Sequence, residues 1–145
     1  MNAQTLALIE RYYAAFNAAD PGGMLACLTD DVVHDVNEGA RQHGLEAFRS
    51  FLAHMDRHYR EQVRELVVMA TPDGTRAAAE FVIHGTYLEK DGDLPEASGQ
   101  GYQLPVGAFF EVQGGRIARV TNHYNLNDWT RQIEPLGTEK EQIGG

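Results

Sequence analysis

Four polar residues set among apolar runs carry the chemistry open to this 145-residue chain. Tyr12 falls on an apolar stripe near the start, Asp35 leaves a short apolar segment straight after Asp30-Asp31, and Asn122 and Tyr124 sit two apart in a β-rich run near the end. A carboxylate takes up a proton, while a phenol and an amide donate hydrogen bonds to an oxygen that gains negative charge. Gathered into one apolar cavity, these groups would move a proton beside a carbonyl.

Gathering them is the work of the elements. Leu6, Ile9, Tyr12, Tyr13 and Phe16 recur at three- and four-residue spacing, which predicts a helix from about Thr5 to Ala19. Asp20-Pro21 stops it and starts a short second helix over Gly22 to Leu28, since Asp caps well and Pro suits a first helical turn. Thr29-Asp30-Asp31 reads as a turn, and Val32 to Val36 as a short strand. Leu45, Phe48, Phe51, Leu52, Met55 and Tyr59 mark a third helix ending near His58. Two hairpins follow: Gln62 to Met69 with Arg76 to Leu88, and Tyr102 to Val112 with Arg116 to Asn125, turned at Thr71-Pro72-Asp73-Gly74 and Gln113-Gly114-Gly115. Between them Glu89 to Gly101 is polar and rich in Gly and Pro, a flexible rim or flap. Asp128 is expected to cap a last helical turn through Ile133, and residues 135–145 to form a disordered tail behind a single domain over 1–134. Helices first and antiparallel hairpins after predict an α+β fold, its helices laid on one face of a curved sheet.

Composition narrows the partner. A net charge of −9, from 21 acidic against 12 basic residues and no run of Lys or Arg, argues against a nucleic-acid or anionic-membrane surface and for a neutral small molecule. No basic leader and no long apolar window predict neither a signal peptide nor a membrane span, so a cytoplasmic location is expected. Cys27, the single cysteine, lies in an apolar run and reads as a small buried hydrophobe. His54 and His58 are one helical turn apart, a spacing that can hold a metal, but no HExxH arrangement accompanies them and Arg57 and Arg60 crowd them with positive charge. Neither a metal site nor a cofactor is expected.

Several motifs together resemble the nuclear transport factor 2-like cone fold, in its ketosteroid isomerase-related and SnoaL-like branch. They are Arg11-Tyr12, Asp20-x-x-x-Met24, Leu28-Thr29-Asp30-Asp31-Val32, Gly44-x-x-Ala47-Phe48 and Gly115-Arg116-Ile117, and the likeness spans most of residues 5–134. It implies a cone in which three N-terminal helices pack on a curved, mostly antiparallel sheet around a hydrophobic pocket. It also implies a homodimer joined through convex sheet faces, to which Phe81, Ile83, Tyr87 and Phe110 are expected to contribute.

Carried onto this chain, the resemblance makes Tyr12 the oxyanion donor and Asp35 the general base. The two alignments that place them differ by one residue, and a slip of one turns His34 inward instead. The acid that completes the oxyanion hole in ketosteroid isomerases falls near Gly107, which has no side chain to offer. Strand parity groups Glu80 with His84 and sets Phe81, Ile83 and Tyr87 on the other face; the residues leave open which faces inward, and the resemblance turns Glu80 and His84 to the cavity. Phe16, His34, Asn122 and Tyr124 complete the implied lining. The leading expectation is proton transfer alpha to a carbonyl of a hydrophobic small molecule, without cofactor. The alternatives are a SnoaL-like cyclase, hydrolase or dehydratase using His34 or His84, and a non-catalytic dimeric ligand-binding module.

Overall fold

Apolar spacing turns Leu8, Ile9, Tyr12 and Tyr13 to one side of α1 (Asn2–Asn17), and the computed structural model, which describes residues 1–134, buries that side. The tail expected over 135–145 lies outside the described residues. Asp20 caps α2 (Pro21–Leu25), its carboxylate accepting from the Gly23 amide at 3.0 Å, with Pro21 in the first turn where a missing amide costs nothing. α2 is shorter than expected because β1 (Leu28–Val36) already begins at Leu28 and absorbs the Thr29-Asp30-Asp31 segment read as a turn. A two-residue β2 (Gln42–His43), which carries no sequence signal, pairs with β1 ahead of α3 (Leu45–His58).

Four long strands follow, β3 (Tyr59–Ala70), β4 (Arg76–Tyr87), β5 (Gly101–Gln113) and β6 (Arg116–Tyr124), before α4 (Leu126–Gln132). The sheet order is β2-β1-β6-β5-β4-β3. Every neighbour is antiparallel except β1 and β6, which run parallel. This is the α+β, mostly antiparallel architecture expected, with helices on one face of a curved, unclosed sheet. A bulge between Arg64 and Val67, with Glu65 at φ 56°, gives the edge strand β3 its bend. Asn17, at the end of α1, binds that edge with its side-chain amide, donating to the Val63 carbonyl at 3.0 Å and accepting from the Val63 amide at 2.7 Å. α4 is capped by Asn125 rather than Asp128: the Asp128 amide donates to Asn125 Oδ1 at 2.9 Å.

Pairing register decides which residues face the helices. Along β4 the buried set is Ala77, Ala79, Phe81, Ile83 and Tyr87, so the expectation that Glu80 and His84 face inward is reversed. The physical reason is α1: Tyr13 packs on Phe81 with ring centroids 4.9 Å apart, and burying aromatic surface outweighs presenting a carboxylate to an apolar helix. Phe81, Ile83, Tyr87 and Phe110 are therefore core residues, unavailable to a second subunit. Gly107 pairs with Glu80 and His123 on the outer face, and its inward neighbours Val106 and Ala108 bring no acid either.

The segment after β4 is fastened down rather than loose. Tyr87, fully buried, donates its hydroxyl to the Pro95 carbonyl at 2.6 Å and accepts from the Asp91 amide at 3.0 Å. The Leu88 amide donates to the His58 carbonyl at 2.8 Å, and Gln100 reaches the Glu96 and Ile133 carbonyls. No helix among the described residues is long and apolar enough to cross a membrane.

Candidate functional site

α1 and α3 stand over the inward face of β3–β6 without filling the space between, and leave a cavity of about 330 Å³. Its wall is mainly apolar: Phe16, Phe48, Phe51, Phe81, Leu104 and Trp129 are among its residues. Into this wall the fold inserts the polar groups His34, Asn122, Tyr12, Tyr13, Tyr124, Tyr59, Glu61, His54 and Asp91. A second hollow of about 540 Å³ adjoins it between α2 and the start of β3, and the two share Phe16, Met24, Leu52, Met55, Tyr59 and Glu61.

The parallel pairing of β1 with β6 fixes the register of strand one, with His34 beside Val120, Asp35 beside Thr121 and Val36 beside Asn122. His34 and Val36 thus face the cavity, and the expectation that Asp35 opens into it is overturned. Asp35 lies on the outer face, where its carboxylate accepts two bonds from Arg41 at 2.7 and 2.8 Å and one from Thr121 at 2.7 Å. The Arg41 bonds hold its pKa down at about 2 against the opposing effect of partial burial. A carboxylate so committed, on the wrong side of the sheet, has no access to a ligand in the cavity. Glu80 and His84 are excluded for the same reason of parity.

His34 occupies the inward position as an almost wholly enclosed imidazole, 2% exposed, stacked on Phe48 at 4.3 Å and met edge-on by Phe51 at 4.7 Å. Its Nδ1 is buried without a hydrogen-bond partner. Burial lowers its pKa to about 4, with nearby Asp35 pulling weakly the other way, so the ring is neutral across the physiological range. Tyr12 lines the same cavity, its phenol pushed well up by burial and, secondarily, by Cys27. Its neighbour Tyr13 has a buried hydroxyl with no partner. Two orphaned polar atoms behind one wall are costly, at roughly 1–3 kcal/mol each. Asn122 and Tyr124, alternating with outward Thr121 and His123, also reach the cavity.

Glu61 is the polar group that sequence reading passed over. It shares the inward parity of Tyr59 and Val63 on β3, so alternation alone could have found it. Burial raises its pKa, although Tyr102 donates a short hydrogen bond to Oε2 that favours the ionised form. Gly85 makes the contact possible: it lies between Glu61 and Tyr102 in the sheet, and a Cβ there would run into the Tyr102 ring. Asp91 and His54 stand at the rim. His54 Nε2 is 2.9 Å from Asp91 Oδ2, which also accepts from the Tyr59 hydroxyl at 2.6 Å. Asp91 comes from the loop, where no periodicity could have foretold its position. Chemically, the site offers a neutral base, a carboxyl inclined to hold its proton, and phenol and amide donors around an apolar volume.

The SnoaL-like domain family matches residues 9–120 of the chain. Among solved structures, a candidate polyketide cyclase from Pseudomonas putida is 54% identical with a TM-score of 0.88, over 90% of this chain and 98% of that one. Another, from Xanthomonas campestris, is 50% identical with a TM-score of 0.90, over 92% and 98%. An LEH-like epoxide hydrolase from M. tuberculosis, 19% identical over 91% of this chain and 86% of its own, shares the fold at a TM-score of 0.73. No curated protein matches the chain.

Proposed function

The chain belongs to the SnoaL-like family, and from that premise we propose that it is a cyclase-type enzyme that closes a ring in a small hydrophobic polycarbonyl compound by moving protons within the cavity. The observation that carries this reading is His34, a neutral, unpartnered imidazole in the wall of an apolar hollow of about 330 Å³. The candidate polyketide cyclases among the similar structures support the substrate class.

In this reading His34 takes the proton from a carbon between two carbonyls. The imidazolium is costly alone in such a site, but it forms beside an enolate, so the two charges offset each other. Tyr12, Tyr124 and Asn122 donate to the enolate oxygen. The enolate carbon then bonds to a second carbonyl carbon, whose π pair moves onto oxygen and takes the proton of Glu61. Solvent returns the proton from His34 to Glu61, and the product is an isomer of the substrate.

The test is incubation with linear triketones, with cyclised product read by nuclear magnetic resonance. His34→Gln is expected to lower turnover by roughly 100-fold or more, in the usual range for a lost general base. Glu61→Gln lowers it less, since solvent can supply the second proton. Undiminished turnover in His34→Gln would contradict the assignment.

The homodimer belongs to the same proposal, with its contact moved to the outer sheet face, where Val67, Met69 and Phe109 are exposed. Sedimentation of a monomer at micromolar concentration would remove it.

A further inference from the structure

His54 and His58 lack a third ligand in sequence, and the fold supplies one. Asp91 comes over the end of α3, and the three residues offer ligand atoms that all lie within 4.8 Å of one another. We propose that His54, His58 and Asp91 form a binding site for a divalent transition-metal ion of the zinc class, set at the rim of the cavity.

The donor set suits such an ion. Two imidazoles one helical turn apart and one carboxylate are ligands that zinc and cobalt take, and three protein ligands leave a coordination position open for water or a ligand oxygen. What separates this cluster from chance neighbours is the support behind two of its ligands, His58 and Asp91. His58 Nδ1 lies 3.0 Å from the Glu89 carbonyl oxygen, which can only accept, so Nδ1 carries the hydrogen and Nε2 of the neutral ring is left bare for a metal. The Asp91 carboxylate is oriented by the Tyr59 hydroxyl at 2.6 Å, and the Asp91 backbone by the Tyr87 hydroxyl at 3.0 Å. Both side-chain bonds to Asp91 fall on Oδ2, and Oδ1 remains for coordination. Arg57, one of the two cations that sequence set against a metal here, is ion-paired with Glu89 at 3.3 Å. The His54 and His58 rings already lie 4.5 Å apart, tilted by 38°, so small rotations close the set around an ion in place of the His54 to Asp91 bond.

Since His54 and Asp91 line the cavity, the ion would stand at its edge and tie the β4–β5 loop to α3. The inference does not rest on the cyclase reading, because binding is measured without substrate.

The experiment is titration of untagged, chelator-stripped protein with Co²⁺, followed by its visible d–d absorption and by displacement with Zn²⁺. Saturation at one equivalent per chain is expected, with a higher melting temperature when Zn²⁺ is bound. Tyr59→Phe, which removes only an orienting bond, should weaken Co²⁺ binding by about 10–100-fold. The double variant His54→Gln/His58→Gln should abolish the absorption and the thermal gain while keeping the wild-type circular dichroism. No d–d absorption in the wild type, or an unchanged one in the double variant, would overturn the site.

Discussion

At the scale of the residue, one position in β1 separates two different chemistries. Asp35 has the residue type for a general base, yet its three hydrogen bonds to Arg41 and Thr121 hold it ionised on the outer face. Asp35→Asn is therefore expected to leave turnover within about threefold of wild type. Its cost in stability should be about 1–3 kcal/mol, because Arg41 is exposed but the Asp35 side chain is only 19% exposed and also accepts from Thr121. A steady-state assay with a thermal melt checks both, and loss of turnover in a folded Asp35→Asn protein would restore the carboxylate as base. His34 carries the complementary expectation for stability. Above pH 6.5 it is neutral whether folded or unfolded and contributes no pH dependence. As pH falls from 6.5 towards 4 the unfolded chain binds a proton that the folded chain refuses, so stability declines, by about 3 kcal/mol once the pH is below both values. His34→Phe, which keeps an aromatic ring against Phe48, should flatten that limb in denaturant titrations between pH 4 and 7.

Elements explain why some of this was legible and some was not. The helical stripe of α1 and the Asp20-Pro21 cap follow from local spacing, and the structure has both. Which face of a strand turns inward is a tertiary matter. In β1 it depends on a parallel partner 86 residues away, with Asp35 beside Thr121. In β4 it depends on where α1 lays its tyrosines, and alternation divides Glu80 and His84 from Phe81 and Ile83 without saying which pair is covered. Tyr12 follows from the apolar stripe of α1, and Asn122 and Tyr124 from the family resemblance, whereas Asp91 hangs on a loop. The Glu61–Gly85–Tyr102 row carries a further expectation. Gly85→Ala would place a methyl group inside the Tyr102 ring, displace the phenol from Glu61, and cost about 1–3 kcal/mol by overpacking. Chemical denaturation gives the energy, and the Tyr102 ultraviolet resonance Raman signal gives the broken bond; a variant as stable as wild type with that bond intact would refute the reading of this row.

Considered whole, the molecule spreads its ion pairs over the outer face of the sheet and keeps unpartnered polar atoms inside. An ion-pair and hydrogen-bond chain runs over the outer face of the sheet from Arg41 through Asp35, Thr121 and Arg119 to Glu111 and Arg76. On the other face, His34 Nδ1 and the Tyr13 hydroxyl stand without partners in the cavity wall. That division makes the inner face the place for chemistry. The most direct test of it is solvent deuterium exchange at the central carbon of a non-cyclising aryl β-diketone, followed by nuclear magnetic resonance in wild type, His34→Gln and Asp35→Asn. The account predicts catalysed exchange in wild type and in Asp35→Asn, and a loss of about 100-fold or more in His34→Gln. Exchange that survives in His34→Gln, or disappears in Asp35→Asn, would contradict it.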